Sequence, residues 1–137
     1  MNLKWSAVVF GALIDIAISI ALGLVLLIIY ASILAGNGLS EADIQMRLSD
    51  PLSSSFFAVL LIVAGVVTDG LAGYLTAKFA GYLEYWHALF MIMTVMFLHV
   101  GMSSGSTIPF WYNLISQGLG LVAALYGAGL YKRSGVS

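Results

Sequence analysis

Four long apolar runs separated by short polar stretches dominate the chain. They cover residues 5–35, 54–78, 85–102 and 110–131; the first contains a single charge, Asp15, and the second is punctuated by Gly65, Asp69, Gly70 and Gly73. A helix needs about twenty residues to cross the ~30 Å hydrocarbon core, so each run is a candidate span. The pattern therefore predicts an all-α polytopic membrane protein, a four-transmembrane-helix bundle forming a single transmembrane domain over residues 1–137. The first run would measure roughly 45 Å as a helix, so it must tilt or project beyond the membrane. Its length and its internal charge argue for a retained helix rather than a secretory leader. A glycine and serine break at 102–107 separates the last two runs, and Pro109 suits the first turn of the final helix.

Most of the soluble charge sits at residues 36–51, as Glu41, Asp43, Arg47 and Asp50. Ser40 and Asp43 have capping-box spacing, and Ile44 and Leu48 lie four apart, which predicts a short interfacial helix in the first outer loop. Lys4, Lys78, Lys132 and Arg133 fall on one side of four alternating spans and only Arg47 on the other. The positive-inside rule then places both termini in the cytoplasm of a multi-pass protein of the inner membrane. Trp5, Tyr82, Tyr85, Trp86 and Tyr131 mark the inner interface; Phe56, Phe57, Trp111 and Tyr112 mark the outer one.

Composition sharpens the class. The chain is 61% hydrophobic and 8% charged with a mean hydropathy of +1.04, against roughly 25% charged in ordinary soluble domains. Its principal partner is therefore the lipid bilayer. A net charge of −1 speaks against nucleic acid or a polybasic lipid-binding surface. Without cysteine the chain has no disulfide, thiolate metal site or cysteine nucleophile.

Chemistry concentrates on two acids. An intramembrane carboxylate costs about 2.5 to 3.5 kcal/mol even on the lenient insertion scale, so Asp15 and Asp69 each need a reason. Counted from Lys4 and Lys78, they lie about 16 Å and about 14 Å from the same edge, near the midplane. Gly11, Asp15, Ser19 and Gly23 recur every four residues on the first helix, as do Gly65, Asp69, Gly73, Ala77 and Gly81 on the second. Small residues at that spacing let backbones approach. Antiparallel packing of the two stripes would set Ser19 near Gly65, Gly11 near Gly73, and the aspartates within reach of each other. Two carboxyl groups meeting in low dielectric cannot both stay ionised, so the pair is either a protonated interhelical clasp or a proton or cation site. The repeated Gly-x-x-x-Asp in helices of opposite direction has the form of a transporter's inverted repeat, on only two short matches.

His99 and Gln117 fall about 21 to 22 Å from the inner side, at a depth similar to Ser19, with Asn113 farther out. A relay from Asp15, Asp69 and Ser19 through His99 and Gln117 to Asn113 is geometrically possible; equally, His99 and Gln117 bond only each other. His87 lies near the inner interface with no metal-ligand spacing to His99, and no metal or other cofactor is expected. Met91, Met93, Met96 and Met102 read as packing. Gly120, Ala124 and Ala128 form a further small-residue stripe, which either closes the bundle or meets another subunit.

The run at 69–81, Asp-Gly-Leu-Ala-Gly-Tyr-Leu-Thr-Ala-Lys-Phe-Ala-Gly, followed by His87, resembles a pattern in small bacterial membrane proteins with four predicted spans. Those carry Gly-Tyr or Gly-Gly, then Ala, then Ala-Gly, and a histidine opening the next helix. The resemblance implies an inner membrane and four spans and brings no activity with it. Two functions compete. The preferred one is a non-enzymatic structural or accessory component, a homo-oligomer or a subunit of a membrane complex, assembling through small-residue faces. The alternative is a small proton- or cation-coupled transporter or channel using Asp15 and Asp69. An enzyme is not expected, since no nucleophile elbow, metal motif or phosphate-binding loop is present.

Overall fold

The computed structural model is all-helical and describes residues 2–50, 52, 54–102 and 109–134. Its elements are α1 (Trp5–Gly36), α2 (Glu41–Ser49), α3 (Ser55–Ala80), α4 (Glu84–Met102) and α5 (Phe110–Arg133). Helices α1, α3 and α5 are each long and apolar enough to cross a membrane. The break read at 102–107 falls largely at residues 103–107, outside the described set.

The interior is small and the surface is large. Ala72, Ala77, Ala88, Ala124 and Ala128 are fully buried, whereas Leu13, Ile28, Val67, Phe97 and Val122 are exposed. That inversion of a soluble core fits helices whose outer faces meet lipid and whose inner faces must approach closely. Helix α3 is central, packing against α1, α4 and α5, while α4 also touches α1 and α5. In cross-section α3 and α4 form the short diagonal of a rhombus, with α1 and α5 at its far corners.

The tightest seam joins α3 to α5. A Cβ on Gly73 would overlap the backbone carbonyl of Ala124, and one on Gly127 would overlap the carbonyl of Gly70. The stripe containing Gly73 and Ala77 therefore serves α5 and α4 rather than α1 alone; Ala77 packs with Ala88, Ala128 and Tyr131. Gly11 nests against Thr76 and Met91, not Gly73. Gly23 and Gly65 are not close-packing positions, since a Cβ at either meets open space. Gly81 is the left-handed C-cap of α3 at φ 75°, its N–H donating to the Ala77 carbonyl, so its role is to end the helix. The stripe of Gly120, Ala124 and Ala128 is buried inside the bundle and closes it.

One end is stitched by polar bonds. The backbone N–H of Lys4 donates to His87 Nε2 at 2.8 Å, and its ammonium donates to the Phe79 carbonyl at 2.7 Å. Because Nε2 accepts, the proton of His87 sits on Nδ1 and is donated to the Leu83 carbonyl at 3.0 Å. Leu83 occupies the left-handed region at φ 48°, and that bond helps hold the α3–α4 turn. Tyr82 adds a hydroxyl bond to the Asn2 carbonyl at 3.0 Å. Lys132 lies over the Tyr85 ring, 5.3 Å from its centroid, so α5 ends at this same end.

At the opposite end α1 overhangs its neighbours, and α2 folds back on it. Ser40 caps α2, accepting from the Asp43 N–H at 3.3 Å while its hydroxyl donates to Asp43 Oδ2 at 2.6 Å. Ile44 and Leu48 then pack on a cluster of Tyr30, Leu34 and Phe57, the two rings stacked 4.3 Å apart. Phe57 is thereby buried rather than displayed at an interface.

Gly73→Ala is expected to lower the stability of the detergent-solubilised protein by about 1 to 3 kcal/mol, the ordinary cost of overpacking. Gly118→Ala, directed into open space, should leave the thermal midpoint unchanged or slightly raised. Equal midpoints for Gly73→Ala and the parent would remove the seam as a constraint.

Candidate functional site

The seam and the Lys4 stitch close one half of the bundle; the other half is open between α1 and α5. There a cavity of about 300 Å³ is bounded by all four long helices. Its walls are aliphatic on α1, α3 and α4, through residues such as Leu22, Leu26, Ile62 and Val95. Its polar groups are Ser19, Thr68, Asp69, His99, Tyr112, Asn113, Ser116 and Gln117. Among these, Asp69 is the residue nearest the closed half along α3, so it stands at the cavity floor.

Asp15 lies behind Asp69. Its side chain is 1% exposed, and no donor among the described residues reaches either carboxyl oxygen. What it does meet is the Asp69 carboxyl, a hydrogen-bonding neighbour as soon as the pair carries a proton. Asp69 is half-buried and faces the cavity. The pair is thus unequal: one carboxyl is sealed in protein, and the other is reachable from the open half. Helix α5 makes room for it, since a Cβ on Gly120 would overlap Asp69 Oδ2. Any side chain at residue 120 would push the carboxyl off this position.

A hydroxyl pair sits next to the acids on the cavity side, Ser19 one turn from Asp15 and Thr68 adjacent to Asp69. Thr68 donates its proton to the Gly65 carbonyl at 2.8 Å, so the 3.0 Å contact between Ser19 and Thr68 has Ser19 as donor. This pins α1 to α3 just above the acids and contributes about 0.6 to 2 kcal/mol, by the range for polar contacts in membranes. Below the acids, Thr76 is fully buried against Gly11 with its hydroxyl donating to the Ala72 carbonyl.

The residues singled out in the sequence are distributed as follows. Asp15 and Asp69 adjoin; Ser19, His99, Asn113 and Gln117 line the same cavity as Asp69. His99 is an exposed residue at the cavity wall within Coulombic range of Asp15. Gly23 and Gly65 belong to the cavity lining, which accounts for the space beside them. Met91 is buried in the core and Met93 is exposed, while the side chain of Met102 lies outside the described residues. Thr68 and Ser116 carried no reading in the sequence, while Tyr112 was read only as an outer-interface aromatic and Gly120 only as a packing position. Thr68 had a signal in its position beside Asp69; Gly120 had none, because nothing in a sequence says which glycine lies under which acid.

Asp15→Asn is expected to hold or raise the thermal midpoint, because the amide brings a permanent donor to Asp69 and cannot ionise beside it. Asp15→Leu should lower the midpoint, with a loss of stability of about 0.6 to 2 kcal/mol, the worth of an interhelical polar contact. A midpoint for Asp15→Asn below that of Asp15→Leu would mean the two carboxyls do not support each other.

No protein-family model, curated protein sequence or solved structure matches the chain.

Proposed function

We propose that this protein is a small proton- or cation-coupled transporter of a bacterial inner membrane, with the Asp15/Asp69 pair as its coupling site. One observation carries the reading: the carboxyl pair lies at the floor of a largely apolar cavity, with a few polar groups beside Asp69, that the bundle closes on one side. A purely structural clasp has no use for a cavity reaching it. A midplane acid accessible from one side is what a carrier requires to load a charge.

In this reading α4 is a fourth span. Its 19 residues reach about 28 Å, it is packed against the three other long helices, and it turns Phe97 and Met93 outward toward lipid. Lys4, Lys78, Lys132 and Arg133 then mark the cytoplasmic end, and both termini lie there. The cavity faces the opposite side, and α2 rests at that interface with Ile44 and Leu48 turned inward. The accessory-subunit reading takes second place because Gly73, Gly120, Ala124 and Ala128 are engaged inside the bundle and are not free faces.

Proteoliposomes holding an imposed pH gradient provide the test. The parent protein should dissipate the gradient when at least one of sodium, potassium or a small amine is added, and Asp15→Asn and Asp69→Asn should each slow this by about tenfold or more. Parent vesicles that behave like protein-free ones, or variants that behave like the parent, would overturn the reading.

A further inference from the structure

We infer that the cavity takes an organic ammonium ion bearing an apolar body, with its charge on Asp69 and its body along the aliphatic wall, in exchange for a proton of the carboxyl pair. The inference rests on the coupling-site reading above and adds the class of the cargo.

Size comes first. A cavity of about 300 Å³ is at the lower end of the range for small-molecule sites and about ten times a water's share of liquid volume. A bare alkali ion does not need that space. It needs several converging oxygens, and the nearest hydroxyls, Ser19 and Thr68, are turned to each other and to the Gly65 carbonyl. Charge comes second. Asp69 is the acid of the lining, and no Lys or Arg is among the described lining residues, so the cavity offers an anion no permanent positive charge. Shape chemistry comes third. Leu22, Leu26, Ile62 and Val95 offer an apolar wall that a small hydrated solute cannot use, and Tyr112 sets an aromatic ring at the wall, a surface on which an ammonium group is stabilised.

The proton balance follows from keeping the site neutral in low dielectric. Before binding, both carboxyls hold protons. As the ammonium arrives, Asp69 releases its proton to the bulk solvent through the open half of the bundle and becomes the counter-ion. Asp15 keeps its own proton and donates it to Asp69. Net charge is zero before and after, and no covalent bond changes. The other titratable groups facing the pair are His99 on α4 and Tyr112 on α5.

The full chain in nonionic detergent tests this, with benzyltrimethylammonium as the probe and neopentylbenzene, its uncharged carbon isostere, as control. Calorimetry in weakly buffered solution should show saturable binding of the probe with release of about one proton per ion, by linkage. The isostere, Asp69→Asn and the cavity-filling Ile62→Trp should each weaken binding by about tenfold or more, a loss of 1.4 kcal/mol or greater. Thermal midpoints of both variants establish that they are folded. No saturable binding, equal binding of the isostere, or binding indifferent to both substitutions would overturn the inference. Binding with proton release but no flux in vesicles would leave this site standing and remove transport. Alkali-driven flux without ammonium binding would do the reverse.

Discussion

Backbone laid directly on backbone is the constraint from which the rest of the architecture follows. In lipid, apolar side chains gain nothing by leaving the solvent, so helices are held where close packing is possible. Here that place is the α3–α5 seam, where Gly73 meets the Ala124 carbonyl and Gly127 meets the Gly70 carbonyl. Drawing α5 onto α3 along one half brings Gly120 beneath Asp69 and fixes how much room that carboxyl has. In the other half Gly23, Gly65 and Gly118 have no close neighbour, and the helices part there around the cavity.

The two acids take different characters from this arrangement. Asp15 is buried and, among the described residues, has the Asp69 carboxyl as its hydrogen-bonding neighbour. Asp69 stands at the boundary between packed protein and open cavity. A pair in which one member is inaccessible and the other reachable has a direction: whatever enters the cavity meets Asp69 before Asp15.

Position along a helix axis was legible in the sequence, and position around it was not. Counting residues from Lys4 and Lys78 put Asp15 and Asp69 at similar depth, because rise per residue is constant. The Ser40 cap was equally readable, being local. The partner of each small-residue stripe was not. Gly73 has the same spacing relation to Gly11 as it has to Ala124, and only the three-dimensional crossing of α3 with α5 decides between them. For the same reason Gly23 and Gly65 look like packing glycines in one dimension and are cavity lining in three. Short polar residues such as Thr68 and Ser116 are common on membrane helices, so their part in a site emerges only once neighbours are known.

The bonds around His87 bear on how such a bundle can move. Main chain from α1's entry, the last turn of α3 and the first turn of α4 are tied together within a few residues, through Lys4, Phe79 and Leu83. These three helices cannot slide past one another at that end without leaving a buried imidazole unsatisfied. The tie therefore keeps this corner of the bundle in register, and any relative tilting of α1, α3 and α4 is confined to the opposite end, where the helices part.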